Sequence, residues 1–164
     1  MQGGLVSGVV RAGWAACLGL ALAAPCLARS IAIEDYDVAI DVHESAAFDV
    51  TETIRLRFEG GWHGIHRRLP VIYKSAQGYD YHLRVTLRNV TDERGGPLEH
   101  EGTRERHYDT LKIYVPGATD AVRTVVIRYT VRRGLRFFPD HDELYWNVDR
   151  KSTRLNSSHA NISY

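Results

Sequence analysis

The sequence predicts an all-β domain built as an antiparallel sandwich of two sheets. Three observations predict it. Apolar residues recur at every second position over long stretches, turn clusters rich in Gly, Pro and Asp separate those stretches, and no window holds a useful 3.6-residue period. Each apolar stretch is interleaved with polar residues, so one face of each strand is wet. That pattern suits antiparallel sheets, because strands of a parallel sheet are apolar throughout. A small β-barrel is the alternative way to close the same strands.

The 164 residues divide into three unlike segments. Residues 1–28 have the form of a signal peptide. Arg11 is the one charge before Arg29, Ala12–Ala24 is an apolar run, and Cys26-Leu27-Ala28 supplies small residues at the −3 and −1 positions of a cleavage site. An uncleaved membrane anchor is the rival reading, although the run is short for a span of roughly 20 residues. A lipoprotein site at Cys26 is a third, opposed by Pro25 directly before it. Both cysteines, Cys17 and Cys26, lie in this segment. Residues 29–148 therefore have no disulfide and no thiol nucleophile, and rely on a packed core.

At the other end, Asp149–Tyr164 (DRKSTRLNSSHANISY) resembles the conceptual translation of a sequencing adapter. The expectation is a natural chain interrupted near Val148 and a non-native tail over 149–164. The domain to interpret is then 29–148, with 17 Lys+Arg against 19 Asp+Glu and a formal charge of −2. A charge that low in magnitude and negative in sign argues against nucleic-acid binding.

Along this domain the strands follow in order. Ile31 and Ile33, then Tyr36, Val38, Ile40 and Val42, alternate with polar neighbours. Their phase shifts near Glu34-Asp35, as at a bulge. His43–Ala46 forms a turn. Phe48, Val50, Ile54, Leu56 and Phe58 return as the second arm of a long hairpin. Glu59-Gly60-Gly61 ends that arm, and Trp62–Gly78 reads as irregular. Tyr81, Leu83, Val85 and Leu87 resume the alternation up to a turn at Asp92–Pro97. Glu99–His107 is polar enough to be an exposed edge strand. Leu111, Ile113 and Val115 make a short strand, and Val125, Ile127, Tyr129 and Val131 the clearest one. Leu135–Phe138 and Leu144–Trp146 are further extended pieces, with room for one short helix over 140–143.

Two stretches, Val50–Pro70 (VTETIRLRFEGGWHGIHRRLP) and Val131–Val148 (VRRGLRFFPDHDELYWNV), resemble the N-terminal domain of predicted membrane proteins known as domain of unknown function 2207. The most specific parts are Val50–Thr53, Gly64-Ile65 with Arg67, and Asp142–Val148. The resemblance implies an exported β-rich domain followed by transmembrane segments, and implies no activity. The chain departs from the pattern at His66, where Tyr is frequent. It departs again after Val148, where a Gly-containing turn and a further strand would follow.

Among candidate site residues, Glu52 stands out. By alternation it shares the buried face of Val50, Ile54 and Leu56. A buried carboxylate is costly unless paired. Arg67 or Arg68 can pair it, and a Glu52–Arg67 ion pair would pin the Trp62–Pro70 loop to the sheet. The functional alternative makes Glu52 a general acid or base. His63 and His66 have HxxH spacing and with Glu52 could ligate zinc, but the glycines around them favour a loop over the helix that a zincin motif needs. No metal site and no cofactor is expected. Asp140–Glu143 lacks the spacing of a calcium loop.

Trp62, His63, His66, Arg68 and Tyr73 form a candidate interaction surface. The aromatics Trp62, Tyr73, Tyr79 and Tyr81 serve equally well to plug the end of a sandwich. Arg132, Arg133 and Arg136, beside Phe137 and Phe138, make a basic-aromatic patch suited to a membrane surface or to an ordinary wet strand face.

The function expected from these residues is a non-enzymatic binding or structural module on the extracytoplasmic face of a cell membrane. It would attach to the membrane through segments missing from this fragment, with an envelope protein or polysaccharide as partner and no nucleic acid. The alternative is a metal-dependent or carboxylate-based enzyme domain around Glu52, His63 and His66.

Overall fold

The computed structural model describes residues 29–74, 78–137, 139–140, 142–144, 146 and 159–163. The signal-peptide segment lies outside them. The described chain forms β1 (Ser30–Val42), β2 (Phe48–Gly61), β3 (Gly64–Pro70), β4 (Ile72–Lys74), β5 (Asp80–His82), β6 (Arg84–Asp92), β7 (His100–Arg104), β8 (Tyr108–Tyr114), β9 (Thr119–Arg132), β10 (Leu135–Phe137), β11 (Asp142–Leu144) and β12 (His159–Ser163). No helix occurs among the described residues.

A large sheet has the order β12-β1-β2-β9-β6, and a small sheet the order β3-β8-β7. Two short hairpins, β4-β5 and β10-β11, complete the set. The sheets are antiparallel, apart from the parallel pairing of β12 with β1, and they do not close into a barrel. The fold is the sandwich, and the barrel alternative is set aside. β12 falls in the adapter-like stretch and runs along Asp37–Asp41 at the outer edge of β1.

The long hairpin is present. β1 and β2 pair from Ser30↔Glu59 to Val42↔Phe48, with a register shift between Ile33 and Asp35 where the hydrophobic phase slips. The slip lets Ile33 and Tyr36 both face inward from one strand. The turn is closed by the Ala46 amide donating to the His43 carbonyl and the His43 amide to the Ala47 carbonyl, each at 2.9 Å. β9 then pairs with β2 on one side and β6 on the other.

The inner faces meet in one core. The large sheet supplies Val38, Ile40, Phe48, Val50, Ile54, Leu56, Ile127, Tyr129 and Val131, and the small sheet Leu69, Leu111 and Ile113. β7 is exposed throughout and caps the small sheet as a charged edge, which discourages pairing with other chains.

Two expectations need correction. The segment 62–78 is not irregular as a whole. Gly64–Pro70 pairs with β8 along its full length, and Ile72–Lys74 pairs with β5. The inward positions of Gly64–Pro70 are Ile65, Arg67 and Leu69, so a charged residue interrupts the apolar alternation. Gly64 is required there by close approach, since a Cβ would lie 1.9 Å from the Ile113 carbonyl oxygen. The described residues of 140–143 form no short helix either: Asp142–Leu144 is extended and pairs with Leu135–Phe137.

Candidate functional site

Glu52 occupies the middle of the large sheet. Its register neighbours are Val38 on β1 and Ile127 on β9, both buried, and Glu52 itself is 0% exposed. Strand alternation thus drives a carboxylate into the core, where an unpaired charge would be prohibitive. Arg67 answers it from the opposing sheet. Its neighbour in register is Leu111, so β3 points the guanidinium across the sandwich.

The contact is bidentate. Arg67 Nε donates to Glu52 Oε2 at 2.7 Å and Arg67 Nη2 to Oε1 at 2.8 Å. This parallel fork is the strongest geometry a carboxylate can meet. The Tyr129 hydroxyl donates to Oε1 at 2.6 Å, so both carboxylate oxygens are satisfied. Arg67 spends its other N–H groups on the Tyr36 hydroxyl at 3.2 Å and the Arg68 carbonyl at 2.8 Å. Four residues on four strands, β1, β2, β3 and β9, are tied together.

The electrostatics follow from burial. Burial, and then the charge of Glu52, push the Tyr129 hydroxyl well above its ordinary value, and the hydrogen bond to Glu52 adds to this. Tyr36 is raised by the same two leading causes. For Arg67, burial works against the charged form, but attraction to Glu52 outweighs it and raises the guanidinium further. Both tyrosines stay protonated and Arg67 stays charged at physiological pH.

The remaining candidates are arranged otherwise. Arg68 faces the opposite side of β3, where it pairs with Glu105 at 3.1 Å and lies over the Tyr108 ring at 4.1 Å. The partner of Glu52 is therefore Arg67 and not Arg68. His66 shares that outer face, opposite Lys112, and is exposed. His63 is exposed in the short connection before β3. Neither histidine joins Glu52, and among the described residues no group of three His, Cys, Asp or Glu side chains is placed to hold a metal ion.

Trp62 precedes β3, and Tyr73 follows it in β4. Trp62 is half-buried, donating from Nε1 to the Glu59 carbonyl at 2.9 Å, with Arg29 over its ring. Tyr73 and Tyr81 pack against the core, while Tyr79 is 76% exposed. Tyr36 and Tyr129 escaped sequence reasoning as members of the site. They read as plain core aromatics; register sets Tyr36 opposite Ile54 and Tyr129 opposite Val50, each diagonal to Glu52, and only their hydroxyls reveal the role.

Fold and site together define an all-β sandwich held across its two sheets by a buried ionic cluster. The chain belongs to the family described as predicted membrane protein (DUF2207), N-terminal domain, whose model matches residues 32–163. No curated protein matches the chain. Among solved structures, it is similar to native leukotriene A4 hydrolase from Saccharomyces cerevisiae, with 18% identity and a TM-score of 0.43 over 61% of this chain and 15% of that one. It is also similar to an M1 zinc metallopeptidase from Deinococcus radiodurans, with 10% identity and a TM-score of 0.39 over 61% of this chain and 20% of that one. The matched part is a small fraction of either enzyme, and a likeness at this level carries no functional weight.

Proposed function

We propose that residues 29–148 are a non-enzymatic binding or structural module on the extracytoplasmic face of a membrane protein, with an envelope protein or polysaccharide as its partner. The observation that carries this reading is the state of Glu52. The one buried carboxylate among the described residues is already saturated by Arg67 and Tyr129, so its chemistry goes into holding two sheets together. A general acid or base needs access to a substrate proton, and Glu52 has none. Membership of a predicted membrane-protein family and the leader-like residues 1–28 support placement outside the cytoplasm.

The test has two parts. Alkaline phosphatase fused after the domain is expected to be active in intact cells, because that enzyme matures only after export. Photo-crosslinkers at His66 and Arg68 on the outer face of the small sheet are expected to capture an envelope component, with no effect of a chelator. An inactive fusion defeats the placement. Loss of the fold on chelation, or a hydrolytic activity that disappears in a folded Glu52→Gln variant, defeats the non-enzymatic reading.

A further inference from the structure

One end of the large sheet carries a concentration of positive charge at odds with the formal −2 of residues 29–148. A cleft of about 530 Å³ opens there between the β1–β2 turn and the end of β9, lined by Ser45, Tyr81, Arg84, Arg132, Arg133 and Leu135, among others. The β6–β9 register sets Arg84 directly opposite Arg132. Directly opposed residues of an antiparallel pair project from the same face, and like charges there are destabilising. Arg133 follows with φ of 64°, a left-handed conformation that an L-residue with a long side chain rarely takes. A fourth guanidinium, that of Arg136, sits 5.0 Å from the centroid of the Tyr81 ring.

Arg84, Arg132 and Arg133 differ from the arginines that are paired across the strands. Arg55, Arg57, Arg67, Arg68 and Arg104 each pair with a carboxylate. Arg84, Arg132 and Arg133 have no ion pair and no side-chain hydrogen bond among the described residues. A like-charged cross-strand pair, a third arginine beside it in a left-handed conformation, and a cleft that all three line suit an anionic ligand. Planar guanidinium forks match the oxygens of a phosphate group. The cleft is too large for phosphate alone, and Ala46, Ala47 and Leu135 give it an apolar wall for an organic remainder.

We infer that this cleft binds a phosphate-bearing anion, gripped by Arg84, Arg132 and Arg133, with the Ser45 hydroxyl at the rim. The group can come from the headgroup of an anionic phospholipid or from a soluble phosphate ester. The inference is independent of the role proposed for Glu52, which lies in the core between the sheets.

The experiment uses the full chain, its triple variant Arg84→Gln, Arg132→Gln, Arg133→Gln, and a control with Arg94→Gln and Arg106→Gln, which removes exposed charge elsewhere. Calorimetry with glycerol 3-phosphate reads the soluble arm. Sedimentation with phosphatidylglycerol–phosphatidylcholine vesicles, against pure phosphatidylcholine, reads the lipid arm. Each single arginine variant is expected to weaken binding about tenfold or more, as loss of a charge-assisted hydrogen bond does. The triple variant is expected to abolish it and the control to retain it. The far-UV circular dichroism and thermal midpoint of the triple variant without anion are expected to match or exceed wild type, because like-charge repulsion is relieved. Binding in the vesicle arm alone identifies a lipid headgroup, and binding in the soluble arm identifies a free phosphate ester. Absence of binding in both arms, or equal loss in the triple variant and the control, overturns the inference.

Discussion

The Tyr129 hydroxyl donates a 2.6 Å hydrogen bond to the Glu52 carboxylate across 77 residues of sequence. That bond joins neighbouring strands of the large sheet inside the core, and the same carboxylate accepts the Arg67 fork from the facing sheet. Its consequences for stability can be measured one at a time.

Removing either half of the ion pair leaves the other buried and unpaired. Glu52→Leu and Arg67→Leu are each expected to cost about 3–5 kcal/mol in urea unfolding. The double variant is expected to cost clearly less than the sum of the two, because it strands no charge. Additive losses would mean that the pair contributes packing alone.

Alkaline pH probes the tyrosines. The folded pKa values of Tyr129 and Tyr36 are raised by burial and by the Glu52 charge, whereas an unfolded tyrosine titrates near about 10. The unfolded state therefore loses these protons first. Their contribution is intact below about pH 10 and declines as pH rises from there towards the folded values. Tyr129→Phe is expected to flatten this alkaline decline while lowering neutral-pH stability by about 1–2 kcal/mol through the lost hydrogen bond. Urea midpoints measured across alkaline pH check it.

Acid pH probes Asp49. Hydrogen bonds from Thr130 at 2.5 Å and from His43 at 3.0 Å lower its carboxyl, the Thr130 bond first, against a smaller opposing effect of burial. A lowered folded pKa gives stability that is present above the unfolded value of about 3.9 and lost as pH falls through the folded one. The group is half exposed, so the effect is small. Asp49→Asn is expected to flatten the acid limb of the stability curve, measured by thermal unfolding at stepped pH.

Two glycines are fixed by neighbours. A Cβ on Gly134 would lie 2.4 Å from Cε1 of the buried Phe48 ring, and one on Gly64 would strike the β8 backbone. Gly64→Ala and Gly134→Ala are each expected to lose about 1–3 kcal/mol. In Gly61→Ala the nearest atom is Thr119 Oγ1 at an ordinary 3.8 Å, so a change within about 0.5 kcal/mol is expected. Urea unfolding of the three variants side by side separates these cases.

Strand order along the chain was readable because most inward positions are apolar, from Ile31 to Val131. Even the bulge at Ile33/Asp35 showed as a phase slip. Glu52 was readable for the same reason, as the polar exception in an apolar row. β3 was not, because Arg67 takes an inward slot and erases its period. The hydroxyls of Tyr36 and Tyr129 were hidden for a different reason: their meeting with Glu52 depends on register between strands, which no local pattern encodes. Register also brings Arg84 to Arg132, so the basic patch at the end of β9 was visible in sequence only in part.

Amide hydrogen exchange on a folded Glu52→Gln variant tests the tie between the sheets most directly. Loss of protection concentrated in β3 and β8, with β2 and β9 near wild type, is the result expected if Glu52 and Arg67 clamp the small sheet onto the large one. Unchanged protection in β3 and β8, or an even loss over every strand, would contradict it.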